Sequence, residues 1–132
     1  MSRLLFDTTF LIDAERSGDS LDTSVDDDDD VAIAAITVAE LRVGVLLASG
    51  QTRAARQDFL NDVLEVIPIV DYDRTIAHQH AELLAHVRSQ GRPRGAHDLV
   101  IAATARAGSR TIVSADDTAF EDLPGVHVRI YR

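Results

Sequence analysis

The sequence contains no cysteine, no tryptophan and no lysine, and the lack of cysteine and lysine excludes several kinds of chemistry. Without cysteine, the chain forms neither disulfides nor thiolate ligands for a metal. Without lysine, it has no Schiff-base amine and no Walker lysine, so P-loop phosphate binding is excluded. All 13 basic residues are arginine, against 22 acidic residues, and the formal net charge is -9. Any nucleic acid must therefore be held locally by arginine or through metal ions, because a general basic surface is missing.

Long apolar runs are also missing. No run approaches the roughly 20 residues that a membrane-spanning helix needs, and no signal-peptide pattern is visible at the start. We therefore expect a cytoplasmic protein without membrane association. A chain of 132 residues with 45% hydrophobic residues is long enough to bury its own core, which predicts a single domain over residues 1–132.

Short apolar runs alternate with helical patterns along the chain. The predicted strands are residues 3–6, 31–36, 66–70, 111–114 and 126–130. The predicted helices are residues 10–16, 38–48, 52–63, 74–90 and 97–107. This alternation predicts an α/β fold with a mainly parallel, five-stranded sheet, and the apolar strands indicate that helices cover both of its faces.

Two loops have unusual charge. Residues 26–30 are five consecutive aspartates, which could bind a metal, although a solvated, self-repelling connection is the preferred interpretation. Residues 90–95 contain Arg92 and Arg94 beside two glycines and a proline, and form the most basic short stretch of the chain. Since this loop leads into the helix that carries Asp98, both arginines are candidates for contact with phosphate groups.

Acidic residues follow several of the predicted strands. Asp7 comes directly after the first strand, Asp116 follows the fourth, and Glu40 lies one helical turn after the second. Functional groups of open parallel sheets gather at the carboxyl ends of the strands. Asp98 begins a helix that runs antiparallel to the next strand, so this helix starts at the same edge. We therefore expect the four carboxylates to converge there.

Each of these acids also has a structural explanation. Glu40 could form a capping box with Thr37, Asp98 could favour the helix dipole, Asp116 could cap a helix, and Asp7 could stabilise a turn. None of these roles requires convergence. Four neighbouring carboxylates repel one another, and a cation readily compensates that repulsion. Hard oxygen ligands without cysteine favour Mg²⁺ or Mn²⁺ over Zn²⁺.

The segments that carry these acids resemble the PIN-domain ribonucleases, and specifically the VapC toxins of toxin–antitoxin pairs. Asp7-Thr8 resembles the D-[TS] start of that family, and residues 36–41 resemble its strand–turn–E-L element. Residues 97–103 resemble the H-D-x-x-I-A-A helix, and residues 114–120 resemble the T-x-N/D-x-x-D-F motif. The four motifs occur in order and span essentially the whole chain.

The last motif departs from the family at two positions. Ser114 replaces threonine, and Ala119 stands where the motif has its second acid. Asp117 could supply the missing carboxylate. These departures leave the fifth acidic position of the family without a matching residue here.

The resemblance implies a PIN-like three-layer sandwich with the first strand at the centre of its sheet. It also implies Mg²⁺-dependent cleavage of RNA, a homodimer, and inhibition by a VapB-type antitoxin in a toxin–antitoxin hetero-oligomer. The residues that match the catalytic metal ligands of the family are Asp7, Glu40, Asp98 and Asp116. Supporting positions are Thr8, Ser114 and Asp117, and His97 is a further candidate for RNA contact beside Arg92 and Arg94.

Other classes of protein were open alternatives. A catalytically silent PIN-like RNA-binding or scaffold subunit is disfavoured because all four acids are present. A receiver domain needs a lysine, and a haloacid-type phosphatase needs an aspartate where Thr9 stands, so both are excluded. Cleavage of DNA by a related nuclease fold is less favoured for so short a chain.

Overall fold

The computed structural model of the chain describes residues 1–18 and 26–131. Strands and helices follow one another in the order β1 (Arg3–Phe6), α1 (Thr8–Ser17), β2 (Asp30–Ala34), α2 (Ala35–Leu47), α3 (Gly50–Val66), β3 (Ile69–Val70), α4 (Arg74–Gln90), α5 (Ala96–Ala107), β4 (Thr111–Ser114) and β5 (Val128–Ile130). Among these described helices, none combines the length and apolar character that crossing a membrane requires.

The strands form one sheet in the order β3-β2-β1-β4-β5. Every neighbouring pair is parallel, and β1 is the central strand, with Leu5 aligned to Ala32 on one side and to Ile112 on the other. The α/β fold with a parallel five-stranded sheet is therefore confirmed. Because all carboxyl ends of parallel strands meet at one edge, the residues that follow β1, β2 and β4 are brought to the same side of the molecule.

Helices cover both faces of the sheet. Leu5 belongs to a buried cluster with Leu83 of α4 and Leu99 of α5, whereas its neighbours Leu4 and Phe6 pack on the opposite face in a second cluster. This alternation follows from the two-residue period of a strand, which sends successive side chains to opposite faces. The molecule is thus the three-layer sandwich that the sequence resemblance implied.

Several predicted boundaries were wrong. The predicted strand 31–36 ends at Ala34 because α2 begins at Ala35, and no strand pairing extends beyond Ala34. The predicted strand 66–70 shrinks to Ile69–Val70, since α3 continues to Val66 and Pro68 has no N–H for a sheet hydrogen bond. The predicted strand 126–130 begins only at Val128, because the N–H of Val126 closes a turn onto the carbonyl of Leu123.

Most helices are longer than predicted at their amino ends. Helix α1 begins at Thr8, directly after β1, because Asp7 caps it, and helices α2, α3 and α5 start at Ala35, Gly50 and Ala96. Helix α4 matches its prediction and ends at Gln90. The next residue, Gly91, has a φ of 62°, the left-handed conformation that favours glycine. This turn starts the loop that leads into α5.

Candidate metal centre

Asp7 lies where the central strand passes into helix α1. Its carboxylate is 2% exposed, and its Oδ1 accepts a hydrogen bond from the N–H of Phe10 at 2.8 Å, which caps the helix. Burial raises the pKa of the Asp7 carboxyl above its ordinary value, although hydrogen bonds from Ser114, Phe10 and Thr9 oppose that rise, and the charge of Asp116 adds to it. The ionised form is therefore costly and would be stabilised by a nearby cation.

Two hydroxyl groups orient this buried carboxylate. Ser114 at the end of β4 donates to Oδ2 of Asp7 at 2.5 Å, and Thr9 lies 2.9 Å from Oδ1. The Thr9 hydroxyl also accepts the N–H of Ala115 at 3.2 Å, so it joins the start of α1 to the end of β4. Thr9 was not predicted as a supporting residue. Its position two residues after a helix-capping aspartate was the available signal.

Glu40 is held from two sides. Thr8 donates to its Oε1 at 2.6 Å, and Nδ1 of His97 lies 3.4 Å from its Oε2. The proposed capping box is not formed, because the residue at the N-cap of α2 is Ala34 and Thr37 lies within the helix. Glu40 therefore contacts residues of α1 and α5 rather than the start of its own helix.

Asp98 occupies the first turn of α5, as expected. Burial raises the pKa of its carboxyl, and the charges of Glu40, Asp7 and Asp116 raise it further, while His97 lowers it. The charges of these acids act on Asp98 because strand order brings the segments that carry them to the same edge of the sheet. That the four carboxylates form one metal site stays a prediction.

Asp116 stabilises the turn that follows β4. Its Oδ1 accepts from the N–H of Thr118 at 2.9 Å, the hydroxyl of Thr118 at 3.0 Å and the N–H of Ala119 at 3.2 Å. Asp117 is exposed, and it is Asp116 whose charge raises the pKa of both Asp7 and Asp98. The geometry therefore favours Asp116 over Asp117 as the fourth acid of the cluster.

Arg92 and Arg94 border a cavity of about 410 Å³ that is also lined by Asp98 and Asp116. Arg92 forms an exposed ion pair with Asp122 at 3.3 Å. The guanidinium of Arg94 instead donates to backbone carbonyls of the turn after β4. Arg92 and Arg94 thus each contact the protein beside this cavity, and His97 lies next to Glu40. Contact of these three residues with RNA stays a prediction.

The aspartate run lies apart from this cluster. Among residues 1–18 and 26–131, the acids whose ligand oxygens lie within 4.8 Å of one another are Asp26, Asp28 and Asp29. Asp29 accepts the N–H groups of Ser2 and Asp26, each at 2.9 Å, and these bonds lower its pKa. Backbone donors thus stabilise this turn, and its interpretation as a solvated connection stays a prediction.

The four acids at the sheet edge are spaced more widely than that trio, as mutual repulsion favours. Their donor set nevertheless fits a divalent cation. It consists of carboxylate oxygens, with hydroxyl groups behind them and no sulfur, which suits Mg²⁺ or Mn²⁺. Two of the carboxyls have raised pKa values because they are buried beside other acids. A cation would reverse that effect, so the chemistry of the residues and their burial agree.

Comparisons with known proteins agree with the fold and with the motifs. A model of the PIN domain matches residues 4–126. Ribonuclease VapC5 of Mycobacterium tuberculosis is 37% identical over 116 residues, covering 86% of this chain and 82% of that protein. Toxin FitB of Neisseria gonorrhoeae is 35% identical over 100 residues, covering 70% of this chain and 69% of its own.

Solved structures extend the similarity to nearly the full chain. A structure of VapBC-5 from Mycobacterium tuberculosis matches with a TM-score of 0.82 and 30% identity over 99% of this chain and 100% of that one. VapBC2 from Rickettsia felis, bound to a promoter DNA fragment, matches with a TM-score of 0.88, and at 22% identity over 98% of this chain and 99% of that chain it supports the fold alone. The chain therefore belongs to the PIN domain family and, within it, to the VapC group.

Proposed function

We propose that this protein is a divalent-metal-dependent endoribonuclease, the toxin of a type II toxin–antitoxin pair, which hydrolyses phosphodiester bonds of RNA. The observation that carries the proposal is the placement of four acids at the carboxyl edge of the parallel sheet, two of which line one cavity. These acids are Asp7, Glu40, Asp98 and Asp116. Relatives named as ribonucleases support the choice of RNA as substrate. Mg²⁺ is the proposed ion, and Mn²⁺ would fit the same oxygen ligands.

The four carboxylates would hold the cation, and the neighbouring side chains would keep them in position. A divalent cation held by these residues would supply Lewis-acid chemistry at the phosphodiester. Ser114 and Thr9 fix the orientation of Asp7, since they donate to its two carboxylate oxygens. Thr8 fixes Glu40 in the same way. Prearranged ligands of this kind need little reorganisation when substrate arrives.

A catalytically silent RNA-binding or scaffold subunit is the second candidate. One observation favours it, namely that Ala119 stands where the related motif has an acid. Against it, the remaining four acids are intact and two of them are buried or half-buried beside one another. Burying like charges is costly, and a metal site gives that cost a function. We therefore favour the enzyme.

A VapB-type antitoxin is the proposed partner. The similar structures include VapBC-5 and FitAB, the latter bound to a DNA fragment. An inserted arginine would lower the negative charge of the acidic site, which gives a physical reason for inhibition. Homodimerisation, the toxin–antitoxin hetero-oligomer and a cytoplasmic location stay predictions.

Expression of this protein without an antitoxin should slow the growth of a bacterial host, and Asp98→Asn should restore growth. The substitution removes one charge from the cluster but preserves the size of the side chain, so the protein should accumulate normally. Sequencing of RNA ends after brief expression would reveal cleavage sites that are present for the original protein and absent for the variant. Equal toxicity and equal cleavage by Asp98→Asn, at matched protein levels, would contradict the proposed function.

A further inference from the structure

Two chain segments form opposite walls of the acidic site. The loop between Gly91 and Gly95 leads into α5 and thus positions Asp98, whereas the turn after β4 carries Asp116. The cavity of about 410 Å³ separates the two walls. Since Asp98 and Asp116 lie on different segments, the distance between their carboxylates depends on the contacts between these two segments.

Arg94 makes that connection. Its Nη1 donates to the carbonyl of Thr118 at 3.0 Å, and its Nη2 donates to the carbonyl of Glu121. The N–H of Thr118 in turn donates to Oδ1 of Asp116 at 2.9 Å. A guanidinium is a planar group with donors in fixed directions. Its two bonds therefore keep the turn after β4, which Asp116 stabilises, in contact with the loop that precedes Asp98. Arg92 reaches the same segment only through an exposed ion pair with the side chain of Asp122, a kind of contact that contributes little to holding two segments together.

Gly95 provides the space that the Asp98 carboxylate occupies. A Cβ added at Gly95 would lie 2.9 Å from Oδ2 of Asp98 and 3.5 Å from its Cγ. The φ of Gly95 is -58°, which any residue adopts. Glycine is therefore needed here for close approach and not for backbone conformation. An alanine would leave the backbone unstrained but would push the carboxylate away.

We propose that Arg94 and Gly95 are positioning residues of the metal centre. Arg94 sets the spacing between Asp98 and Asp116, and Gly95 lets the Asp98 carboxylate adopt its place in that spacing. The proposal rests on the proposed function only in treating these acids as metal ligands. It gives Arg94 a role that differs from the predicted contact with phosphate, since Nη1 and Nη2 of Arg94 each donate to a backbone carbonyl.

Mn²⁺ binding to the purified full-length protein, measured by calorimetry without RNA, tests the proposal. We expect Arg94→Ala and Gly95→Ala each to weaken Mn²⁺ binding about tenfold, a change that corresponds to about 1.4 kcal/mol. Arg92→Ala is the matched control, since it removes the same charge from the same cavity. Its Mn²⁺ affinity should stay equal or become slightly tighter, because removing a positive charge favours a cation.

The sign of that electrostatic effect makes the result unambiguous. Weaker Mn²⁺ binding in Arg94→Ala cannot come from the lost charge, which acts in the opposite direction. If Arg94 binds RNA instead, Arg94→Ala and Arg92→Ala will both raise KM for RNA while Mn²⁺ affinity stays unchanged, and the proposal is overturned. Unchanged Mn²⁺ affinity in Gly95→Ala overturns it as well, even if Arg94→Ala fails to fold. An original protein that binds Mn²⁺ but cleaves no RNA would refute the proposed function alone.

Discussion

Replacing Glu40 with glutamine should reduce RNA cleavage a hundredfold or more while leaving the protein folded. The carbonyl oxygen of glutamine can still accept the hydrogen bond that Thr8 gives to Oε1 of Glu40, so the packing of α2 against α1 should persist. The substitution removes one negative charge from the proposed metal site. A hundredfold loss corresponds to about 2.7 kcal/mol of transition-state stabilisation. Cleavage of one RNA substrate at fixed Mg²⁺ measures it.

Asp117→Asn is the matched control for that experiment, because it removes the same charge from an exposed neighbour of Asp116. Its cleavage rate should stay within a few-fold of the original, whereas Asp116→Asn should lose activity as Glu40→Gln does. Full activity in Glu40→Gln would show that Glu40 is not a ligand of the metal. A heavier loss in Asp117→Asn than in Asp116→Asn would show that Asp117, and not Asp116, is the fourth acid of the site.

Mg²⁺ should stabilise the original protein against heat and should lose that effect in Asp7→Asn. A ligand that binds only the folded state adds about 2.7 kcal/mol at a hundred times its Kd, which raises Tm by roughly 10 °C for a domain of this size. In EDTA, Asp7→Asn should melt above the original protein, because a buried carboxylate with a raised pKa is replaced by a neutral group. Melting curves of both proteins in EDTA and in Mg²⁺ give the four values needed.

Asp28→Asn controls for general binding of cations to acidic surface. It removes a charge from the aspartate run, where Asp26, Asp28 and Asp29 lie close together, and it should keep the full Mg²⁺ response. If Asp28→Asn abolishes the response and Asp7→Asn retains it, the aspartate run is the Mg²⁺ site and the sheet edge is not. If Mg²⁺ leaves Tm of the original protein unmoved, neither group binds it strongly.

The order of strands and helices was readable from the sequence because each strand is a short, mostly apolar run, and β1, β2 and β4 are buried on both faces. The exact ends of the strands and helices could not be read from the sequence. Ile36 and Thr37 look like strand residues by side chain, but β2 ends at Ala34, where its pairing with β3 ends. A single sequence does not reveal which neighbouring strand is short. Pro68 was the one local signal of a shortened strand that could have been used, since its missing N–H interrupts the predicted run 66–70.

The acids of the site could be predicted because their positions follow from topology. A parallel sheet fixes which ends of its strands meet, so Asp7 and Asp116 were placed without knowledge of any side-chain contact. The roles of Thr9 and Arg94 could not be predicted in this way. Both depend on the path of the turn after β4, which supplies the N–H of Ala115 to Thr9 and carbonyl groups to Arg94. Loop paths of this kind are set by tertiary packing.

A crystal of this protein soaked in Mn²⁺ would test the central claim most directly, through anomalous scattering from the bound ion. We predict an anomalous peak at the sheet edge, among the four acids of the proposed metal site and about 2.2 Å from carboxylate oxygens, which is an ordinary distance for small divalent cations bound by oxygen. The same crystal of Asp7→Asn should lack the peak. A peak confined to the aspartate run 26–30, or none at the sheet edge at millimolar Mn²⁺, would contradict the account.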